Sequence, residues 1–232
     1  MNPIIVALDL ENALEALQLV DRLGSAVGFY KVGLELFTAE GPAVVRELTA
    51  RGKSVFVDLK MYDIGATVQR ATARVAALGA TFLTVHSSPQ VIRAAVQGRG
   101  DSALKILAVT VLTSFDDADL ADLGYVGRSA SQQVEFFIGK GLAAGADGFI
   151  SSPKEVQRAR ALCGPAKILV TPGVRSAGAS AGDQKRVATP AEAMADGANY
   201  LVIGREITRS DDPRGAADRI LNSVGLHVGK AS

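Results

Sequence analysis

Short apolar runs alternate with longer amphipathic stretches along the whole chain. The runs are IIVAL (4–8), FYKVG (29–33), SVFVDL (54–59), TFLTVH (81–86), KILAVTVL (105–112), GFI (148–150), KILV (167–170) and NYLVIG (199–204). Each is strand-sized and does not alternate strictly, as strands buried on both faces read. Between them lie helical patterns. LEALQLVDRL (14–23) places Leu14, Leu17 and Val20 on one face with Leu23 at the next turn. VQRATARVAAL (68–78) and SQQVEFFIGKGLAA (131–144) read the same way. The pattern gives eight strand–helix units, and 232 residues over eight units is about 29 each. Non-alternating strands joined by helices predict a parallel sheet, and eight units closing on themselves predict a (β/α)8 TIM barrel, one domain over 1–232.

Local punctuation agrees. Gly79-Ala80, Gly145-Ala146 and Gly197-Ala198 each precede a strand. Each glycine stands where a helix would end in the left-handed region. Ser152-Pro153-Lys154-Glu155 and Thr189-Pro190-Ala191-Glu192 both read as capping boxes with proline at the first helical position. One long glycine-rich segment, 173–188, separates the seventh strand from the seventh helix. The alternative architecture is an open, doubly wound sheet. It suits fewer strands, and no GxGxxG follows the first one.

Composition narrows the function classes. Lys and Arg total 25 against 24 Asp and Glu, with no basic run, so nothing asks for nucleic acid as a partner. The single cysteine, Cys163, excludes an internal disulfide and a cysteine-ligated zinc site. It reads as a structural residue ending a helix. No apolar stretch is long enough to span a membrane. MNPIIVALDLEN reaches acidic residues at once without a basic segment before them, which predicts no secretory leader and a cytoplasmic protein.

In a barrel of this kind chemistry sits at the C-terminal ends of the strands. The polar residues there are Asp9, Lys31, Asp58, Lys60, Asp63, His86, Thr110, Thr113, Ser114, Arg175 and Arg205. The densest group is VDLKMYD (57–63). Two residues apart on an extended backbone, Asp58 and Lys60 share one face, which at a barrel strand end is the interior. An acid, a base and another acid suit a group that holds a proton and delivers it to carbon. The same spacing also fits a solvated strand end with a surface ion pair. TPGVR (171–175) and IGRE (203–206) follow strands seven and eight, where such barrels often bind phosphate. Gly173 and Gly204 permit close backbone approach, and Arg175 and Arg205 offer forked donors; turn glycines beside exposed arginines read the same. SAGASAGDQKRVA (176–188) has the small residues of a closing lid or of an ordinary mobile loop. Gln184 is its one residue able both to donate and to accept. His86 fits an acid–base role or a packed strand end, and His227 near the C-terminus carries less. Phe136-Phe137 reads as a helix packing face.

These residues together resemble the orotidine 5′-phosphate decarboxylase family, whose activity is the last step of de novo UMP synthesis. The resemblance runs the length of the chain. It rests on VALD (6–9), FYKVG, FVDLKMYDIGATV (56–68), VTVLTS (109–114), TPGVR, GDQKRVATP (182–190) and VIGR (202–205), in order and at matching spacing. It implies that Asp9 and Lys31 meet the ribose and join a charged network. It implies that Asp58, Lys60 and Asp63 form an alternating charge array with Lys60 as proton donor. It implies a homodimer in which Asp63, Ile64 and Thr67 enter the partner's site. Thr113, or its neighbour Ser114, would contact the pyrimidine. Arg175, Gln184, Gly204 and Arg205 would hold the phosphate and lid. After Asp-Ile the family often carries Pro-Asn; here Gly65-Ala66 makes that loop more flexible and leaves the charged residues intact.

The implied reaction releases CO2 from orotidine 5′-monophosphate with no cofactor and no metal. The alternative is a Mg2+-dependent sugar-phosphate decarboxylase or synthase of the same superfamily, which shares D-x-K-x-x-D. Such an enzyme needs an acid near the end of strand two. Lys31 opposes a cation there, although Glu35 follows. A non-catalytic phosphate-ligand sensor on a barrel scaffold is the rival of another class, and it has no need of a lysine flanked by two acids.

Overall fold

The runs of β-branched and aromatic residues form strands because their side chains pack on a pleated surface buried on both sides. In the computed structural model, which describes residues 2–176 and 188–226, they alternate with helices. In chain order these are β1 (Ile4–Ala7), α1 (Ala13–Leu23), β2 (Phe29–Val32), α2 (Leu34–Glu40), α3 (Pro42–Ala50), β3 (Ser54–Met61), α4 (Gly65–Ala77), β4 (Phe82–His86) and α5 (Pro89–Arg99). There follow β5 (Lys105–Val109), α6 (Asp117–Asp122), α7 (Ala130–Ala144), β6 (Gly148–Ile150), α8 (Val156–Cys163), β7 (Ile168–Thr171), α9 (Pro190–Ala195), β8 (Tyr200–Ile203), α10 (Arg205–Thr208) and α11 (Pro213–Ser223). The eight strands pair in parallel in sequence order, and β8 closes on β1 through Ile4↔Leu201, Ile5↔Val202 and Val6↔Ile203. The expected TIM barrel is the fold found.

Two apolar layers hold it. The larger core lies between barrel and helices and includes Val6, Leu8, Val32, Val57, Leu83 and Phe149. The smaller fills the barrel with Ile5, Ala7, Phe29, Phe56, Phe82, Leu107, Val170 and Val202. Inside, Phe82 meets Phe29, Tyr200 and Phe56 at centroid distances of 5.0, 5.4 and 6.0 Å. Such tilted and edge-on contacts suit ring quadrupoles. The barrel floor is therefore aromatic and dry, and the polar residues lie above it.

Several local readings need correction. Leu14 is 68% exposed, and the docked face of α1 is Ala16, Leu19, Val20 and Leu23. At 100° per residue Leu14 lies about 160° round from Ala16. The fifth strand ends at Val109, short of Leu112, and Thr110 turns its hydroxyl to the Ile150 carbonyl at 2.7 Å. Thr189 and Glu192 form the expected capping box. Ser152 does not: a short 3-10 turn (Pro153–Glu155) follows it, and its hydroxyl donates to the Glu155 carboxylate. Gly79, Gly145 and Gly197 all have positive φ. Phe137 packs on the core, whereas Phe136 is exposed with the Arg128 guanidinium 4.2 Å over its ring.

Candidate active site

Side chains alternate along a strand, so residues two beyond an interior apolar position also face the interior. Ala7 is followed by Asp9, Phe29 by Lys31, Phe56 by Asp58 and Phe82 by Thr84. This places a polar layer directly above the aromatic one. It opens into a cavity of about 600 Å3 at the C-terminal ends of the strands, the size of a small-molecule site.

The charges form a continuous row. The Lys31 ammonium donates to Asp9 Oδ1 at 2.8 Å and lies 3.8 Å from Asp58 Oδ2. Lys60 Nζ donates to both Asp58 oxygens at 3.0 Å. Lys31 and Asp58 are buried, and Asp9 opens to solvent. A buried lysine is tolerated when carboxylates pair it, and Lys31 has two. Lys60 is not on a regular extended backbone: its φ is +47°, and the β3–β4 register shifts between Val57 and Met61. The side chain still reaches Asp58, as the spacing predicted.

Other predicted residues line the same cavity: Thr113 and Ser114 above β5, Gly173 and Arg175 after β7, Gly204 and Arg205 after β8. Arg175 is fixed at its root, its N–H on the Ala188 carbonyl at 3.0 Å. Asp63, Ile64 and Thr67 are not brought into this cavity. The Asp63 carboxylate accepts the Ile64 N–H at 2.6 Å and, among the described residues, pairs with no cation. Tyr62 and Ile64 beside it are 70% and 72% exposed. His86 leaves the cavity as well and stacks edge-on against Tyr62 at 5.3 Å. Partial burial, and secondarily the Lys60 charge, lower its pKa below the ordinary imidazole value. Burial raises the Cys163 thiol, which agrees with a structural role. Gln184 and His227 lie outside the described residues.

The sequence and the architecture find counterparts among known proteins. Residues 2–220 match the model of the orotidine 5′-phosphate decarboxylase / HUMPS family. The chain belongs to that family. An orotidine 5′-phosphate decarboxylase of Rhodopseudomonas palustris strain HaA2 is 52% identical over 221 residues, 95% of this chain and 94% of the relative. One from Caulobacter sp. strain K31 is 49% identical over 95% of this chain and 96% of its own. The crystal structure of the Lactobacillus acidophilus orotidine 5′-phosphate decarboxylase superposes with a TM-score of 0.86 at 36% identity, covering 97% of this chain and all of that one. Among the described residues of this decarboxylase-family member, no helix is long and apolar enough to cross a membrane.

Two residues of the site were missed in the sequence. Gly33 is one: a Cβ there would lie 2.7 Å from Lys31 Nζ and 2.9 Å from Asp9 Oδ1. Its signal was a glycine two residues after the strand-end lysine. Thr84 is the other. It is wholly buried, and its signal was its place two residues after Phe82 on the interior face of β4.

Proposed function

We propose that this chain is a cytoplasmic, single-domain enzyme that decarboxylates orotidine 5′-monophosphate to UMP and CO2 in pyrimidine nucleotide synthesis. The observation that carries the reading is the row Asp9–Lys31–Asp58–Lys60 lining one cavity with Arg175, Gly204 and Arg205. Breaking the bond from C6 to the carboxyl group leaves an electron pair on C6 as CO2 departs. With no cofactor to take that pair, the site stabilises it electrostatically. The Lys60 ammonium, held by Asp58, supplies preorganised positive charge and then the proton. Arg175 and Arg205, with Gln184 from the intervening segment, hold the remote phosphate, whose binding energy contributes to kcat. Asp9 and Lys31 meet the ribose, and Thr113 or Ser114 meets the pyrimidine.

The enzyme acts as a homodimer, with Asp63 given to the partner's Lys60 and Ile64 and Thr67 crossing with it. The absence of any cation beside Asp63 among the described residues of its own chain, and the apolar exposure of Tyr62 and Ile64, support this.

The Mg2+-dependent sugar-phosphate reading is less favoured because an ammonium, Lys31, stands between Asp9 and Asp58, although Glu35 also lines the cavity. One assay tests the proposal: turnover of orotidine 5′-monophosphate followed by the absorbance of the ring. Turnover is expected, and it survives exhaustive EDTA dialysis. Loss on chelation with rescue by Mg2+ would move the assignment to the sugar-phosphate branch. Lys60→Ala is expected to abolish turnover while the protein folds and binds UMP. Residual activity within tenfold, about 1.4 kcal/mol of barrier, would overturn the role of Lys60.

A further inference from the structure

The lysine–aspartate pair is held by a third group. From Val57 to Met61 strand β3 advances four residues while β4 advances two, from Leu83 to Val85. Lys60 stands within this shift, in the left-handed region that favours glycine. A conformation of that kind persists where its surroundings over-determine it. Here the Lys60 N–H donates to Thr84 Oγ1 at 3.0 Å, and the Thr84 hydroxyl donates to Asp58 Oδ1 at 2.7 Å. Thr84 is 0% exposed. A hydroxyl has one proton and two lone pairs. This one gives its proton to the carboxylate and takes the backbone proton of the lysine. Among the described residues, Lys60 and Thr84 are the two hydrogen-bond donors to the Asp58 carboxylate.

We infer that Thr84 is the positioning residue of the Asp58–Lys60 pair. It fixes the backbone that launches the lysine and the carboxylate that orients its ammonium. A misplacement of about 1 Å at such a site costs of order 100-fold in rate. The inference rests on the proposed decarboxylation with Lys60 as proton donor, and its effect falls on the chemical step, because Thr84 lies beneath the pair and outside the cavity lining.

The test compares Thr84→Val, Thr84→Ser and Lys60→Ala with orotidine 5′-monophosphate as substrate. Thr84→Val keeps the branched shape and removes both hydrogen bonds. Its kcat is expected to fall at least tenfold with KM within threefold, and Thr84→Ser is expected to stay within threefold of the parent. Should Thr84→Val not fold, Thr84→Ala against Thr84→Ser gives the same contrast. A kcat for Thr84→Val within threefold of the parent, a loss confined to KM, or a Thr84→Ser variant as poor as the hydroxyl-free ones would overturn the inference. If Lys60→Ala is dead while Thr84→Val is fully active, the positioning role alone falls. If Lys60→Ala is active, or the parent does not turn the substrate over, the underlying reading falls.

Discussion

Gly33→Ala perturbs the charge row without touching a charged residue. Gly33 has φ −93° and ψ −172°, which alanine adopts without strain. Space is the only obstacle. The new methyl would stand 2.7 Å from Lys31 Nζ and 2.9 Å from Asp9 Oδ1, on both partners of a 2.8 Å ion pair. Both atoms end flexible side chains, so they swing apart and the backbone stays. A hydrogen bond between charged groups is worth about 1.5–3 kcal/mol. The Asp9 side chain is 54% exposed, so solvent screening brings that to about 1–2 kcal/mol. A loss of that size is about 5–30-fold in kcat/KM for orotidine 5′-monophosphate. The fold loses roughly 1 kcal/mol, or about 2–4 °C in melting temperature for a chain of this length. Steady-state kinetics beside a thermal melt read both. A kcat/KM within twofold of the parent would refute the contribution of the Lys31–Asp9 pair. A melting temperature lowered by more than about 10 °C would refute the premise that only side-chain ends move.

Arg205→Ala is expected to weaken orotidine 5′-monophosphate strongly and to leave the poor activity on the phosphate-free nucleoside nearly unchanged; equal losses on both substrates would make Arg205 structural. The His86 ring, separated from His227 by a His86→Gln variant, is expected to titrate by NMR below 6.5 and to rise in Lys60→Ala, and a midpoint at or above 6.5 would sink this. Because the folded state favours the neutral ring, its contribution to stability is whole above about pH 6.5 and is lost as pH falls through the lowered folded value. Mixing Lys60→Ala and Asp63→Ala chains under subunit exchange makes about half the dimers hybrids, each with one chemically intact site, so about a quarter of all sites are expected to recover. A mixture as inactive as its components, with exchange confirmed, would place Asp63 in cis.

The succession of strand-sized apolar runs and amphipathic stretches that placed the eight strands is a local property of the chain and survives any loop, so the barrel was legible from the apolar runs. Charge spacing within one strand was legible for the same reason: Asp58 and Lys60 meet although the backbone between them leaves the extended region. Features that depend on a neighbouring strand were hidden. Thr84 pairs with β3 across 24 and 26 residues of sequence, so its interior place on β4 could be read locally but its partners could not. Gly33 looks like a turn glycine until Lys31 and Asp9 are seen converging on its empty side. Leu14 misled because the four leucines of 14–23 fit more than one helical face, and the neighbours decide which is buried. Ser152 misled because a capping box needs an α-helical first turn, and the chain there takes a tighter one.

The layering also bears on how the barrel would support the proposed chemistry without an electron sink. The polar row stands on Phe29, Phe56, Phe82 and Tyr200, which exclude water from below. Charges 4 Å apart interact by about 1 kcal/mol in bulk water and about 4 kcal/mol at the effective dielectric of a protein site. An isolated lysine in that layer would be costly. Two ammonium groups and two carboxylates in one row are not, since Asp9, Lys31, Asp58 and Lys60 of one chain sum to zero, and the Asp63 proposed to enter from the partner adds a fixed negative charge beside Lys60. In the proposed reaction the substrate carboxylate adds one negative charge to the layer. When it leaves as neutral CO2, the electron pair stays on C6 and takes the proton of Lys60. The substrate loses one negative charge and the row loses one positive charge, so the total in the layer is the same before and after. The reaction moves charge by a few ångströms between groups already in place and creates no net charge inside the barrel. A preorganised row meets that demand, whereas water would have to reorient around each new position of the charge.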